Sequence, residues 1–164
     1  MNRFADYFSN YVNDDTITYI GNGDITSFTV SRQDRELAVG LNLESFIDYG
    51  IIENSQNQIA RAMELKKVHI NPRFPKSEFS LDNIERILEY VRHESPAANG
   101  FFDGCEAELE DRTLTLCLKK GGKDVLESQK VDRAIANKIY ELFDLDFVVI
   151  FLEVQAFDLS LIHI

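Results

Sequence analysis

Few side chains in this 164-residue sequence have the types and spacing that chemistry needs. The three histidines, His69, His93 and His163, lie far apart, and the sequence has no HxH, HExxH or CxxC pair. A metal centre built on those residue types therefore lacks its ligand set. Asp144 and Asp146 have the two-residue spacing used by carboxylates in two-metal phosphoryl transfer. They fall at a helix-to-strand exit, where polar residues are expected anyway, and no third acid follows until Glu153. Glu106, Glu108 and Glu110 alternate on one strand face and read as a solvated edge that discourages sheet stacking. Lys119-Lys120-Gly121-Gly122-Lys123 is the one local basic cluster, placed just ahead of a helix. Backbone amides at a helix start plus lysines suit a phosphate. The spacing is not that of a P-loop, and the same residues also serve as a turn that launches a helix without any ligand. No Ser, Thr or Cys nucleophile with a nearby base can be picked out. Taken alone, these residues describe a binding or assembly module.

The elements that must position them follow from composition and periodicity. There are 17 Lys+Arg against 28 Asp+Glu, a formal net charge of −11, with 45% apolar residues and three prolines. That composition suits a folded chain of one domain or two small ones. An acidic balance argues against tight nonspecific duplex binding, which needs a basic footprint. No apolar run approaches the roughly 18 residues of a membrane span. The start, MNRFADYFSNYVNDDT, has no apolar signal core, and Cys105 and Cys117 make no disulfide framework. A cytoplasmic protein with no membrane partner is expected.

One pattern occurs twice. Ile25–Ser31 and Glu36–Leu43 alternate apolar and polar residues around a polar Arg32–Arg35 turn, giving a hairpin. A helix over Ile51–Leu65 with Ile52, Ile59, Ala62 and Met63 on one face follows, then a short strand Lys67–Ile70 ended by Pro72. In the second copy CEAELED and TLTLCLK form a hairpin about Asp111-Arg112, and Gly121-Gly122 breaks the chain. One long helix from Asp124 to Phe143 then turns Val125, Val131, Ile135, Ile139 and Leu142 inward. DFVVIFLEV (146–154) closes the copy and is apolar enough to be central in a sheet. Each copy has a helix in front: Asn2–Val12, with Phe4, Tyr7, Phe8 and Tyr11 at helical spacing, and Ser80–His93, with Ser80 as its cap. The fold class expected is α+β, two small modules each of helix–β-hairpin–helix–strand, with a boundary near Pro75. Asp34-Arg35-Glu36-Leu37 and Asp111-Arg112-Thr113-Leu114 add a short local match between the copies.

Two stretches carry a resemblance. Lys67-Val68-His69-Ile70-Asn71-Pro72-Arg73-Phe74-Pro75 resembles the linker closing the first N-terminal domain of PolC-type DNA polymerase III, the replicative polymerase of low-GC Gram-positive bacteria. Asn99-Gly100-Phe101-Phe102, Asp111 to Leu116, Gly121-Gly122 and the following helix and DFVVIF strand resemble its second N-terminal domain, a KH-type fold. The resemblance implies a first module over 1–75 and a second, KH-like one over 76–158. It implies an accessory role, docking replisome proteins such as the clamp loader or contacting nucleic acid; for single-stranded nucleic acid the candidate residues are those of the basic cluster above, Lys119, Lys120, Gly121, Gly122 and Lys123. A full-length polymerase of this family would use deoxynucleoside triphosphates and Mg²⁺, but none of its catalytic motifs maps onto this sequence, so no cofactor and no catalytic residue is expected here. The KH phosphate loop, GxxG between two helices, is also missing. The final Leu159-Ser160-Leu161-Ile162-His163-Ile164 matches a translated transposon-end sequencing adapter, so residues 159–164 are expected to be an artificial tail on a fragment. A free-standing adaptor built from the two modules is the remaining alternative.

Overall fold

A computed structural model describes residues 2–153; the adapter-like stretch Leu159–Ile164 lies outside the described residues. The chain is mixed α+β and divides into two compact units between Phe79 and Ser80. The first unit extends past Pro75 because the short 3₁₀ turn Lys76–Glu78 folds back onto it. There the Glu78 carboxylate accepts the Phe46 N–H at 2.8 Å.

In the first unit the order is α1 (Phe4–Phe8), α2 (Asp14–Ile20), β1 (Asp24–Ser31), β2 (Glu36–Asn42), α3 (Tyr49–Ala62) and β3 (Lys67–Arg73). The sheet order is β1-β2-β3, with β1 antiparallel and β3 parallel to β2. The predicted Asn2–Val12 helix is only α1, and a second helix, α2, follows at once. Asn13 starts α2 by accepting the Thr16 N–H at 2.9 Å. Phe4 and Phe8, 4.8 Å apart between ring centroids, belong to the core, while Tyr7 and Tyr11 are exposed. The aromatic stripe is therefore mostly structural. On α3 Ile52, Ser55 and Ile59 face inward, whereas Ala62 and Met63, expected inside, are exposed. The third strand does not stop at Pro72 but runs through it, with Pro72 opposite Leu41. Proline is tolerated because β3 is an edge strand, where a missing N–H leaves no ladder bond unmade.

In the second unit the order is α4 (Ile84–Arg92), β4 (Glu106–Glu110), β5 (Thr113–Leu118), α5 (Lys123–Ser128), α6 (Val131–Phe143) and β6 (Val148–Glu153). The sheet order β4-β5-β6 repeats the first: one antiparallel pair, then one parallel pair. Ser80 caps a 3₁₀ turn, Leu81–Asn83, that leads into α4. The single long helix expected from Asp124 to Phe143 is broken at Gln129-Lys130, where Lys130 takes φ 58°. The break reorients α5, so Leu126 is buried there and Val125, expected inside, is exposed. Val131, Ile135, Ile139 and Leu142 of α6 do cover the sheet, with Leu114, Leu116, Leu118, Val149 and Phe151 beneath.

The Asp-Arg match has a structural counterpart. The carbonyl of Arg35 accepts the Lys66 N–H, and that of Arg112 accepts the Val148 N–H, each at 2.8 Å. Both arginine side chains also donate to a backbone carbonyl ahead of the parallel strand, Glu64 and Asp146 respectively. One tether thus sets the start of the third strand in both units.

Candidate functional site

The lysine–glycine cluster is held by the chain's own acids. Lys119 Nζ lies 3.2 Å from Glu106 Oε1, Lys120 Nζ 3.2 Å from Asp103 Oδ2, and Lys123 Nζ 3.9 Å from Glu127 Oε1. The Lys123 N–H, at the start of α5, donates to Glu153 Oε1 at 2.8 Å. A carboxylate at a helix N-terminus satisfies an orphan N–H and the helix dipole together. Gly121 and Gly122 have φ of 70° and 91°, which glycine adopts without strain. A Cβ on Gly122 would collide with the Phe101 ring, so this glycine lets an aromatic side chain lie flat on the turn. The turn joining α5 to α6 is Gln129-Lys130, with no GxxG.

The other candidates are dispersed. Asp146 pairs with Arg112 at 2.7 Å, both exposed, and Asp144 caps α6 in the left-handed conformation at φ 57°. Among the described residues no group of three or more His, Cys, Asp or Glu is placed to hold a metal ion. His69 is exposed on β3, and His93 ends α4 with its Nε2 3.9 Å from Glu89. His163 lies outside the described residues. One cleft of about 430 Å³ in the first unit is lined by polar groups including Arg3, Asp24 and Glu44, and brings no nucleophile to a base. No helix among the described residues is long and apolar enough to cross a membrane.

The surface that stands out is the open face of the second sheet. Glu106, Glu108 and Glu110 on β4 face Cys117, Thr115 and Thr113 on β5, which in turn face Leu152, Ile150 and Val148 on β6. The face thus grades from acidic to small and polar to aliphatic. Leu152, Ile150 and Val148 are 50%, 42% and 62% exposed. The apolar run 146–154 predicts a strand at the centre of a sheet, yet β6 is an edge strand and among the described residues only one of its faces is covered. The first unit provides an internal comparison. Its topologically equivalent strand, β3, presents Lys67, His69, Asn71 and Arg73 on the corresponding face. One fold therefore carries a solvated outer row in one unit and an aliphatic one in the other.

Two thiols bracket this sheet. Cys105 is buried just before β4, and burial, with the nearby Cys117, Glu85 and Glu106, pushes its pKa up to about 11. Cys117 is half-buried on the central strand of the open face, between Glu106 and Leu152. Periodicity missed this surface because an uninterrupted apolar run signals two-sided burial without saying whether the chain itself supplies both covers.

No protein-family model matches the chain, and a search of curated proteins found none similar to it.

Proposed function

We propose that this chain is a non-catalytic protein-docking region made of two α+β units. The observation that carries the reading is the aliphatic row Val148, Ile150 and Leu152, exposed on a strand whose sequence is written for burial on both faces. The resemblance of residues 67–75 and 99–151 to the N-terminal domains of PolC-type DNA polymerase III names the assembly in which such a region would work: a bacterial replisome, with the clamp loader and other holoenzyme subunits as candidate partners. On this reading polymerase and exonuclease activity, and the Mg²⁺ they need, belong to other parts of that assembly, and the chain works in the cytoplasm.

The competing reading is a KH-like binder of single-stranded nucleic acid using Lys119, Lys120 and Lys123. The helix–hairpin–two-helix–strand order of the second unit favours it. Against it stand the carboxylates already paired with each lysine and the net charge of −11. A basic groove lined with aromatics is the usual platform for single strands, and the open face is acidic and aliphatic instead. The test is binding of the purified chain to purified replisome subunits and, separately, to single-stranded oligonucleotide. Docking predicts binding to a subunit that is lost in Ile150→Asp and retained in Lys119→Ala/Lys120→Ala/Lys123→Ala. Salt-sensitive oligonucleotide binding abolished by the triple lysine variant would replace docking with the nucleic-acid reading.

A further inference from the structure

The open face of the second sheet also specifies the chemistry of what it binds, and this step rests on the docking reading above. Val148, Ile150 and Leu152 form an aliphatic row roughly 13 Å long at about 3.3 Å per residue. That is the length of about nine helical residues at 1.5 Å each. Across the sheet, β6 and β4 are two strand spacings apart, about 10 Å, close to the ~10–12 Å diameter of an α-helix with its side chains. Between them lie only Thr113, Thr115 and Cys117, short enough to let a backbone approach. The far margin carries Glu106, Glu108 and Glu110. Lys119 pairs with Glu106, while Glu108 and Glu110 have no cationic partner among the described residues. Most of the net charge of −11 also falls in the second unit, so the field around the face is negative.

We infer that this face binds an amphipathic helix of two to three turns whose aliphatic stripe covers Val148, Ile150 and Leu152 and whose Lys/Arg flank meets Glu108 and Glu110. A strand added to the edge of β6 is the poorer fit. It would pair with the backbone of β6 but leave the aliphatic side chains, which project from the sheet face, uncovered. An acidic helix would meet like charge along the whole β4 margin.

The experiment titrates the intact chain with a synthetic helical peptide bearing a Leu/Ile stripe and a Lys/Arg flank, and with its Glu/Asp-flanked counterpart. Alkylation of Cys117 reports whether the face is open. The inference predicts binding of the basic peptide only, weakened at least about tenfold by Ile150→Asp and weakened by rising salt. Glu108→Lys/Glu110→Lys should transfer the preference to the acidic peptide, and His69→Ala on the first unit should change nothing. Both Ile150→Asp and the milder Ile150→Ser alter an exposed side chain, and circular dichroism shows whether each remains folded. An accessible Cys117 with no peptide binding, alongside protection by a purified replisome subunit, would overturn the helix assignment and leave docking standing. A Cys117 already protected in the free chain would overturn both.

Discussion

The Glu153 carboxylate accepts the backbone N–H of Lys123 at 2.8 Å, so the start of α5 already holds an anion supplied by β6. Glu153 lies 30 positions from Lys123, so spacing alone could not assign it to the lysine cluster; the parallel pairing of β5 and β6 brings the two together. Glu153→Ala should destabilise the second unit by about 1 kcal/mol, the usual cost of a lost cap. Glu153→Gln, which keeps an acceptor, should cost less. Chemical denaturation of the three proteins checks both. Neither variant should gain measurable affinity for phosphate if the cluster is structural, which equilibrium dialysis reads directly.

Gly122 and Gly100 separate backbone strain from collision. Both have strongly positive φ, 91° and 87°, but a Cβ on Gly100 meets nothing, whereas one on Gly122 strikes Phe101. Gly100→Ala should cost about 1–2 kcal/mol from the left-handed backbone alone. Gly122→Ala should cost roughly 1–3 kcal/mol more from overpacking. Urea midpoints measure the difference, and equal losses would remove Phe101 from the explanation.

Cys105 makes the fold sensitive to alkali. Its thiol is raised from 9.0 to about 11 by burial first and by nearby negative groups second. The folded state therefore holds the proton more tightly than the unfolded one, and the stabilisation is complete below pH 9.0 and lost as pH rises towards 11. Across that window wild type should lose up to about 2 kcal/mol relative to Cys105→Ala. Denaturation at a series of pH values tests it. The same shift, together with burial, predicts slow alkylation of Cys105 near neutral pH.

Lys138 ties α6 to the end of α4. Its Nζ lies 2.7 Å from Glu94 and 2.9 Å from Glu141. Burial pulls its pKa down, but hydrogen bonds and charge from the two glutamates more than offset that and leave it raised above 10.5. Its contribution is thus present below pH 10.5 and fades as pH climbs through the higher folded value. Both glutamates are exposed, so Lys138→Met should cost only about 1 kcal/mol at neutral pH. A thermal melt that is unchanged would mean solvent screens the pair completely.

Much of this architecture is legible in the sequence. Alternation in Ile25–Ser31, Glu36–Leu43, CEAELED and TLTLCLK gives the hairpins, and the repeated element order gives two similar units. The misreadings have local causes. Lys130 is an ordinary helix former, so its left-handed φ of 58°, which splits α5 from α6, leaves no sequence signal. Pro72 marks a strand end only in a strand with neighbours on both sides. The lysine cluster looked available because its partners, Asp103, Glu106 and Glu153, are distant in sequence and meet it only through the sheet. The aliphatic row was visible as a run, but its exposure depends on β6 having one neighbouring strand rather than two.

The most direct test of the docking account is the alkylation rate of Cys117 in the intact chain, measured alone, with single-stranded DNA, and with purified replisome subunits one at a time. The account predicts rapid labelling alone and with DNA, and at least about tenfold slowing with one subunit, restored by Ile150→Asp. Slowing by DNA and by no subunit would contradict it.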